Sequence, residues 1–181
     1  MNKGQGEDAG KALIGYIRMA TLNKHLAVNE LSAKDFFEKG LALTESGKYQ
    51  DAIKAYSKGI ELDSQNAMIY YNRGNVYGRN LANFSLAIED FNRAIDLNPE
   101  FVSAYDNRAN ANYLLGNYQE AIRDCNQAIE LDPTDPLAYF TRGHAYYGLG
   151  DRRRTINDFK TAARLGLREA QDFLKSKRIR W

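Results

Sequence analysis

One cysteine, Cys125, stands in the 181 residues of this chain, so no intrachain disulfide can form and a thiolate metal site has no ligand set. Histidine is nearly as scarce: His25 and His144 lie far apart, and neither belongs to an HExxH or similar metal pattern. No stretch approaches the roughly 18 apolar residues of a membrane span, and no glycine loop of the phosphate-cradling kind occurs. The start, "MNKGQGEDAGKALIGYIRMA", sets acidic residues ahead of "ALIGYI", which is short for a signal-peptide core, so a cytoplasmic chain is expected. Charge of one sign is lacking too. A net charge of +2 supplies no large basic field for sequence-independent nucleic-acid binding. Only the end is biased, with Arg164, Arg168, Lys175, Lys177, Arg178 and Arg180 against Glu169 and Asp172, the pattern of a solvated helix end. Carboxylates such as Glu61, Asp63, Asp96 and Glu130 recur as surface rather than converging. These gaps leave no catalytic constellation, and the expectation is a chain that is not an enzyme and takes no cofactor and no metal.

What is present is an ordinary globular composition, 44% hydrophobic and 27% charged, with length for one well-buried core. One stretch contradicts its surroundings. At "YYNRGNVY", from Tyr70, a glycine between two asparagines has the composition of a turn, yet the flanks look helical. Sliding the sequence against itself resolves the conflict. "FFEKGLALTESGKYQDAIKAYSKGIELD", "YYNRGNVYGRNLANFSLAIEDFNRAIDLNP", "YDNRANANYLLGNYQEAIRDCNQAIELDP" and "YFTRGHAYYGLGDRRRTINDFKTAARLG" are versions of one unit. From Phe36 to Tyr70, Tyr105 and Tyr139 the steps are 34, 35 and 34 residues, and the extra residue of the second unit falls in "RNLAN".

That period, with a small residue recurring inside each half, resembles the tetratricopeptide repeat family, whose unit is a helix, a tight turn and a second antiparallel helix. The bulky fourth position is Phe36, Tyr70, Tyr105 and Tyr139; the small eighth is Gly40, Gly74, Ala109 and Gly143. The twentieth is Ala52, Ala87 and Ala121, with Thr155 departing. The twenty-fourth carries Tyr56, Phe91 and Phe159, with Cys125 replacing the ring once, and Gly59, Ala94, Ala128 and Ala162 fill the twenty-seventh. A small residue lets two helices approach, and a ring opposite fills the space beside it, so Gly74 reads as a packing residue within a helix. Its cost relative to alanine is about 1 kcal/mol of helix propensity. Ile53, Ile88, Ile122 and Ile156, with Leu62, Leu97, Leu131 and Leu165, complete an apolar stripe expected to be buried by stacking. Asp135 before Pro136 reads as an N-cap with proline at the first helical position.

The expected fold is all-α: a right-handed superhelix of helix pairs with an N-terminal helix and a C-terminal capping helix. Residues 1–30 form an N-terminal extension. Units at about 33–66, 67–101, 102–135 and 136–167 fill 31–167, and 168–181 form the capping helix and basic tail. Leu13, Ile14, Ile17 and Ala20 can line one side of a helix that caps the stack, folds into the groove or docks on a second copy. Ala170, Phe173 and Leu174 face inward on the C-terminal cap.

Two patterns go beyond packing. Arg73, Arg108 and Arg142 share one position of the first helices, and Asp90, Asp124 and Asp158 share one of the second; the first unit lacks both, with Lys39 and Ala55. A partly buried cross-helix ion pair that sets register is expected. The resemblance also implies a concave groove lined by the first helices. There Asn72, Asn75, Asn107 and Asn110 form a ladder of amides able to pair with an extended peptide backbone. Tyr71, Tyr113, Phe140, His144 and Tyr147 would supply apolar contact, and Arg79 lies at the same face. Members that clamp the C-terminal carboxylates of heat-shock chaperones carry three cations where this chain has Tyr71, Leu137 and Thr141; only Asn75 and Asn107 match. The implied function is a scaffold or adaptor that binds a peptide or helix of another protein, with no nucleic acid and no membrane span. Homo-oligomers built through the N-terminal helix or the groove remain the alternative.

Overall fold

The computed structural model describes residues 31–181; the helix expected around Leu13, Ile14, Ile17 and Ala20, and His25, lie outside the described residues. Among the described residues there are nine helices and no strand. They are α1 Ala33–Glu45, α2 Tyr49–Leu62, α3 Ala67–Asn75, α4 Phe84–Leu97, α5 Val102–Leu114, α6 Tyr118–Leu131, α7 Pro136–Gly148, α8 Arg152–Arg164 and α9 Arg168–Ser176, with a π-helical turn, Val76–Asn80, prolonging α3. "YYNRGNVY" is therefore helical throughout. Ser32 opens α1 with a capping box, its hydroxyl accepting from the Asp35 amide while the Asp35 carboxylate accepts from the Ser32 amide. Asn66 and Asp135 cap α3 and α7, and Pro136 takes the first helical position, where no amide hydrogen is needed.

The helices pair as α1 with α2, α3 with α4, α5 with α6 and α7 with α8, each pair stacking on the next as a right-handed superhelix. The first helices of the last two units, α5 and α7, also touch directly, which places the first helices on the inner, concave side. Burial follows the repeat. Ala52, Ala87, Ala121 and Thr155 are buried, as are Tyr56, Phe91, Cys125 and Phe159. A Cβ on Gly74 would come to 2.8 Å from the Phe91 ring, and one on Gly143 to 2.6 Å from the Phe159 ring. Gly40 meets Tyr56 in the same way. Where Cys125 replaces the ring, the facing residue is Ala109 rather than glycine: the smaller partner leaves room for a methyl group. One part of the apolar stripe departs from expectation. Leu62 is 52% exposed and Leu165 is 37% exposed, whereas Leu97 and Leu131, at the same position of the two middle units, are half-buried.

Arginine and aspartate tie the units together. Arg73 donates from Nε and Nη2 to both carboxylate oxygens of Asp90 at 2.9 and 2.7 Å, and from Nη1 to the Ser57 hydroxyl of the preceding unit. Arg108 repeats this on Asp124 and Asn92, and Arg142 on Asp158 and Asn126. Each guanidinium also lies over the tyrosine one turn earlier, Tyr70, Tyr105 or Tyr139. Three helices from two units thus meet at one planar cation. Burial raises the Asp90 carboxyl above its ordinary range, against the pull of Arg73, so part of the attraction offsets desolvation. In the fourth unit the reach-back position holds Lys160. At that end α9 covers the stack: Ala170 and Leu174 are buried against Phe159, Ala162 and Ala163, and the Phe173 ring sits 4.6 Å from that of Phe159.

Candidate functional site

The concave face is irregular between units two and three. In three units the turn joining the helices carries a glycine in the left-handed region, Gly47, Gly116 or Gly150, with φ near +74°, +81° and +80°. The second unit has no glycine there and one more residue to place. Its first helix overruns instead, widening to the π turn Val76–Asn80; the Asn83 amide reaches back to the Tyr77 carbonyl at 2.8 Å, and Ala82 takes φ +52°. The extra residue is thus taken up between Val76 and Asn83, a span that includes the "RNLAN" stretch.

The widened turn places Arg79 beside the asparagines. Arg79 Nη2 donates to Asn107 Oδ1 at 3.0 Å, and Asn107 Nδ2 donates to Asn75 Oδ1 at 2.7 Å and to the Tyr71 hydroxyl at 3.1 Å. The four amides therefore differ. Asn107 has both amide hydrogens donated, and its oxygen accepts from Arg79. Asn75 keeps its amide hydrogens free among the described residues. Asn110 is exposed with no side-chain bond to a described residue. Asn72 donates to the Met68 carbonyl of its own helix at 2.8 Å and adds nothing to the rung. Beneath Asn75, Arg79, Asn107 and Asn110 is a cavity of about 270 Å³ with Gly78, Ala82, Phe84, Phe91, Ala111 and Leu114 as its floor and walls. A cavity of about 330 Å³ lies at the C-terminal end beside Tyr147 and Phe173, away from the amides.

The aromatic candidates divide as well. Tyr71 packs on Phe101 and Phe91, with ring centroids 4.6 and 6.0 Å away. Tyr113, Phe140 and His144 form one cluster with Phe159, and burial lowers the His144 pKa, keeping it neutral at pH 7. Tyr147, 63% exposed, stands apart at the far end. Asp106, on the groove side of α5, has a buried Oδ1 with no hydrogen-bond partner. Burial, then Asp135 and Asp132, raise its pKa to about 8, so it is mostly neutral at pH 7. Burial likewise pushes the Cys125 thiol up, which leaves it unreactive. Phe84, Gly78 and Ala82 were not among the residues singled out by the sequence; the step of 35 rather than 34 residues from Tyr70 to Tyr105 was the signal available. Among the described residues, no helix is long and apolar enough to cross a membrane and no group of His, Cys, Asp and Glu is placed to hold a metal ion.

Comparison with known proteins is consistent with this geometry. A family model described as TPR repeat matches residues 40–80 and 110–150, and one described as tetratricopeptide repeat matches 67–101. RNA polymerase II-associated protein 3 of Xenopus laevis is 40% identical over 78 residues, which are 43% of this chain and 12% of that protein. Among solved structures, the first TPR of Spaghetti (RPAP3), bound to the HSP90 peptide SRMEEVD, superposes with TM-score 0.63 at 33% identity, covering 66% of this chain and 94% of that one. A crystal structure of MamA superposes with TM-score 0.72 at 26% identity, covering 94% and 98%.

Proposed function

We propose, from the premise that this chain belongs to the tetratricopeptide repeat family, that it is a protein-interaction module that binds an extended segment or helix of a partner protein in the groove of α1, α3, α5 and α7. The observation that carries this reading is the gathering of Asn75, Arg79, Asn107 and Asn110 above an apolar-floored cavity between units two and three. Exposed amide donors and acceptors on a rigid helical wall can pair with a peptide backbone, and the staples behind them keep the wall from yielding. The RPAP3 domain takes a peptide on the same fold. In this chain Tyr71, Leu137 and Thr141 occupy the positions where clamp-type members hold cations, so the partner is expected to differ from a peptide gripped by its terminal acids. Four units at 33–66, 67–101, 102–135 and 136–167 form the wall in this reading.

Photo-crosslinking tests it. Met68 and Leu137, groove residues 46% and 52% exposed, are each replaced by p-benzoylphenylalanine in the full chain, with Glu130 on a second helix as the outer control. Partner should be captured from the two groove positions and not from Glu130, and capture should fall when Asn75→Ala and Asn110→Ala are combined. Equal capture from both faces, or none from the groove, overturns the reading.

A further inference from the structure

We infer that the π turn of α3 has opened a side-chain pocket in the groove, which takes one bulky apolar residue of the bound segment together with a carboxylate next to it. This rests on the groove being the binding face. At the twelfth position of their first helices, units three and four carry Tyr113 and Tyr147, whereas unit two carries Gly78. In unit three the tyrosine covers the ring that starts the second helix: Tyr113 and Tyr118 lie 6.0 Å apart. In unit two the corresponding ring is Phe84, and with glycine in place of tyrosine it is left facing the cavity. The missing ring is the space. Phe91, Ala111 and Leu114 complete an apolar lining.

The volume of about 270 Å³ lies below the roughly 300–1,000 Å³ of sites for free small molecules, and it opens onto the groove, so one side chain of a longer ligand is the matching occupant. The rim decides the neighbouring group. Arg79 is exposed, its one side-chain hydrogen bond goes to a neutral amide, and it makes no ion pair among the described residues. Among the groove residues of units two to four, the other acidic or basic side chains are His144, packed against the Tyr113, Phe140 and Phe159 rings, and Asp106, whose Oδ1 is buried. An exposed cation beside Asn75 and Asn110, which retain donors, selects an anion there, and a carboxylate matches a guanidinium in two-point geometry. That carboxylate can come from an Asp or Glu side chain or from a chain terminus.

The test is a chemical-shift titration of the 15N-labelled full chain with four peptides. These are acetyl-Gly-Ser-Leu-Asp-Ser-Gly-amide, the same peptide with Leu replaced by Ala, the same with Asp replaced by Asn, and acetyl-Gly-Ser-Ser-Leu with a free carboxylate. The Leu-Asp peptide should move the amides of Gly78, Arg79, Asn110 and Ala111. Removing the leucine or the carboxylate should each weaken binding about ten-fold. Arg79→Gln should abolish the preference for Asp over Asn while leaving the preference for Leu. Gly78→Tyr should block binding; because its Cβ would come to 3.2 Å from the buried Ala87 Cβ, its thermal midpoint is measured alongside, and a folded Gly78→Tyr chain that still binds the Leu-Asp peptide overturns the pocket. Which of the first and fourth peptides binds more tightly identifies the source of the carboxylate. Shifts centred elsewhere, or equal affinity for the Asp and Asn peptides, overturn the pocket. If the peptides leave these amides unmoved while Met68 and Leu137 still capture a partner, the groove reading stands and the pocket falls; if neither responds, both fall.

Discussion

Arg73 and Arg79 stand on the same helical run, and they differ in almost everything else. Arg73 is 20% exposed at its side chain, binds both oxygens of Asp90, reaches back to Ser57 and lies over Tyr70. Arg79 is exposed and touches one neutral amide. The first recurs at Arg108 and Arg142; the second recurs nowhere, because it sits in the turn that breaks the period. The arginine that recurs ties neighbouring helix pairs together and is already fully bonded. The cation free to bind something else stands where the recurrence fails.

Mutating the two classes side by side gives the largest difference. Arg108→Ala leaves Asp124 buried with only Asn112 for a partner, and should cost about 3 kcal/mol in urea unfolding, as breaking a buried pair does. Arg79→Ala should change stability by less than about 0.5 kcal/mol. Equal losses would erase the distinction between bound and available cations.

The carboxylates sharpen the same contrast through pH. Asp124 faces Arg108, whereas Asp106 faces Asp135 and Asp132 and has no cation, so burial and those neighbours raise its pKa from 3.8 to about 8. Between those values the folded chain holds a proton that the unfolded chain has released. The stability Asp106 contributes is therefore complete below about pH 4 and is lost as pH rises towards about 8, at no more than about 1.4 kcal/mol per unit. Unfolding of the wild type and of Asp106→Asn, followed from about pH 5 to about pH 8, should show this decline in the former and its absence in the latter. Parallel curves would mean that Asp106 has a solvent-like environment.

Much of this was legible in the sequence because packing repeats. The glycine at 74, the ring at 91 and the alanine at 94 are dictated by how closely two helices approach, and that requirement recurs every unit. Pairing arginine with aspartate was legible for the same reason, although the reach-back to Ser57, Asn92 and Asn126 was not: a hydroxyl and two amides share no obvious type, only a position. The groove was harder. Its cavity depends on how one surplus residue is absorbed, and a helix can accommodate it as a looser turn or a longer loop at similar local cost. The eye also groups Asn72, Asn75, Asn107 and Asn110 by identity, whereas hydrogen bonding depends on which way each amide points.

That last distinction sets the smallest effect and the finest test. Asn72 donates to Met68 of its own helix, so Asn72→Ala removes a local bond and gains helix propensity; stability should move by no more than about 0.5 kcal/mol, and partner affinity should not change. Asn110, with no internal bond among the described residues, should behave oppositely: Asn110→Ala leaves the fold intact and weakens binding by about five-fold, the worth of one exposed hydrogen bond. Both are read by titrating the partner captured through Met68. A ladder acting as one surface would make the two substitutions equal. A groove whose binding groups are those left unbonded by the fold makes them unequal, and Asn110 the more sensitive.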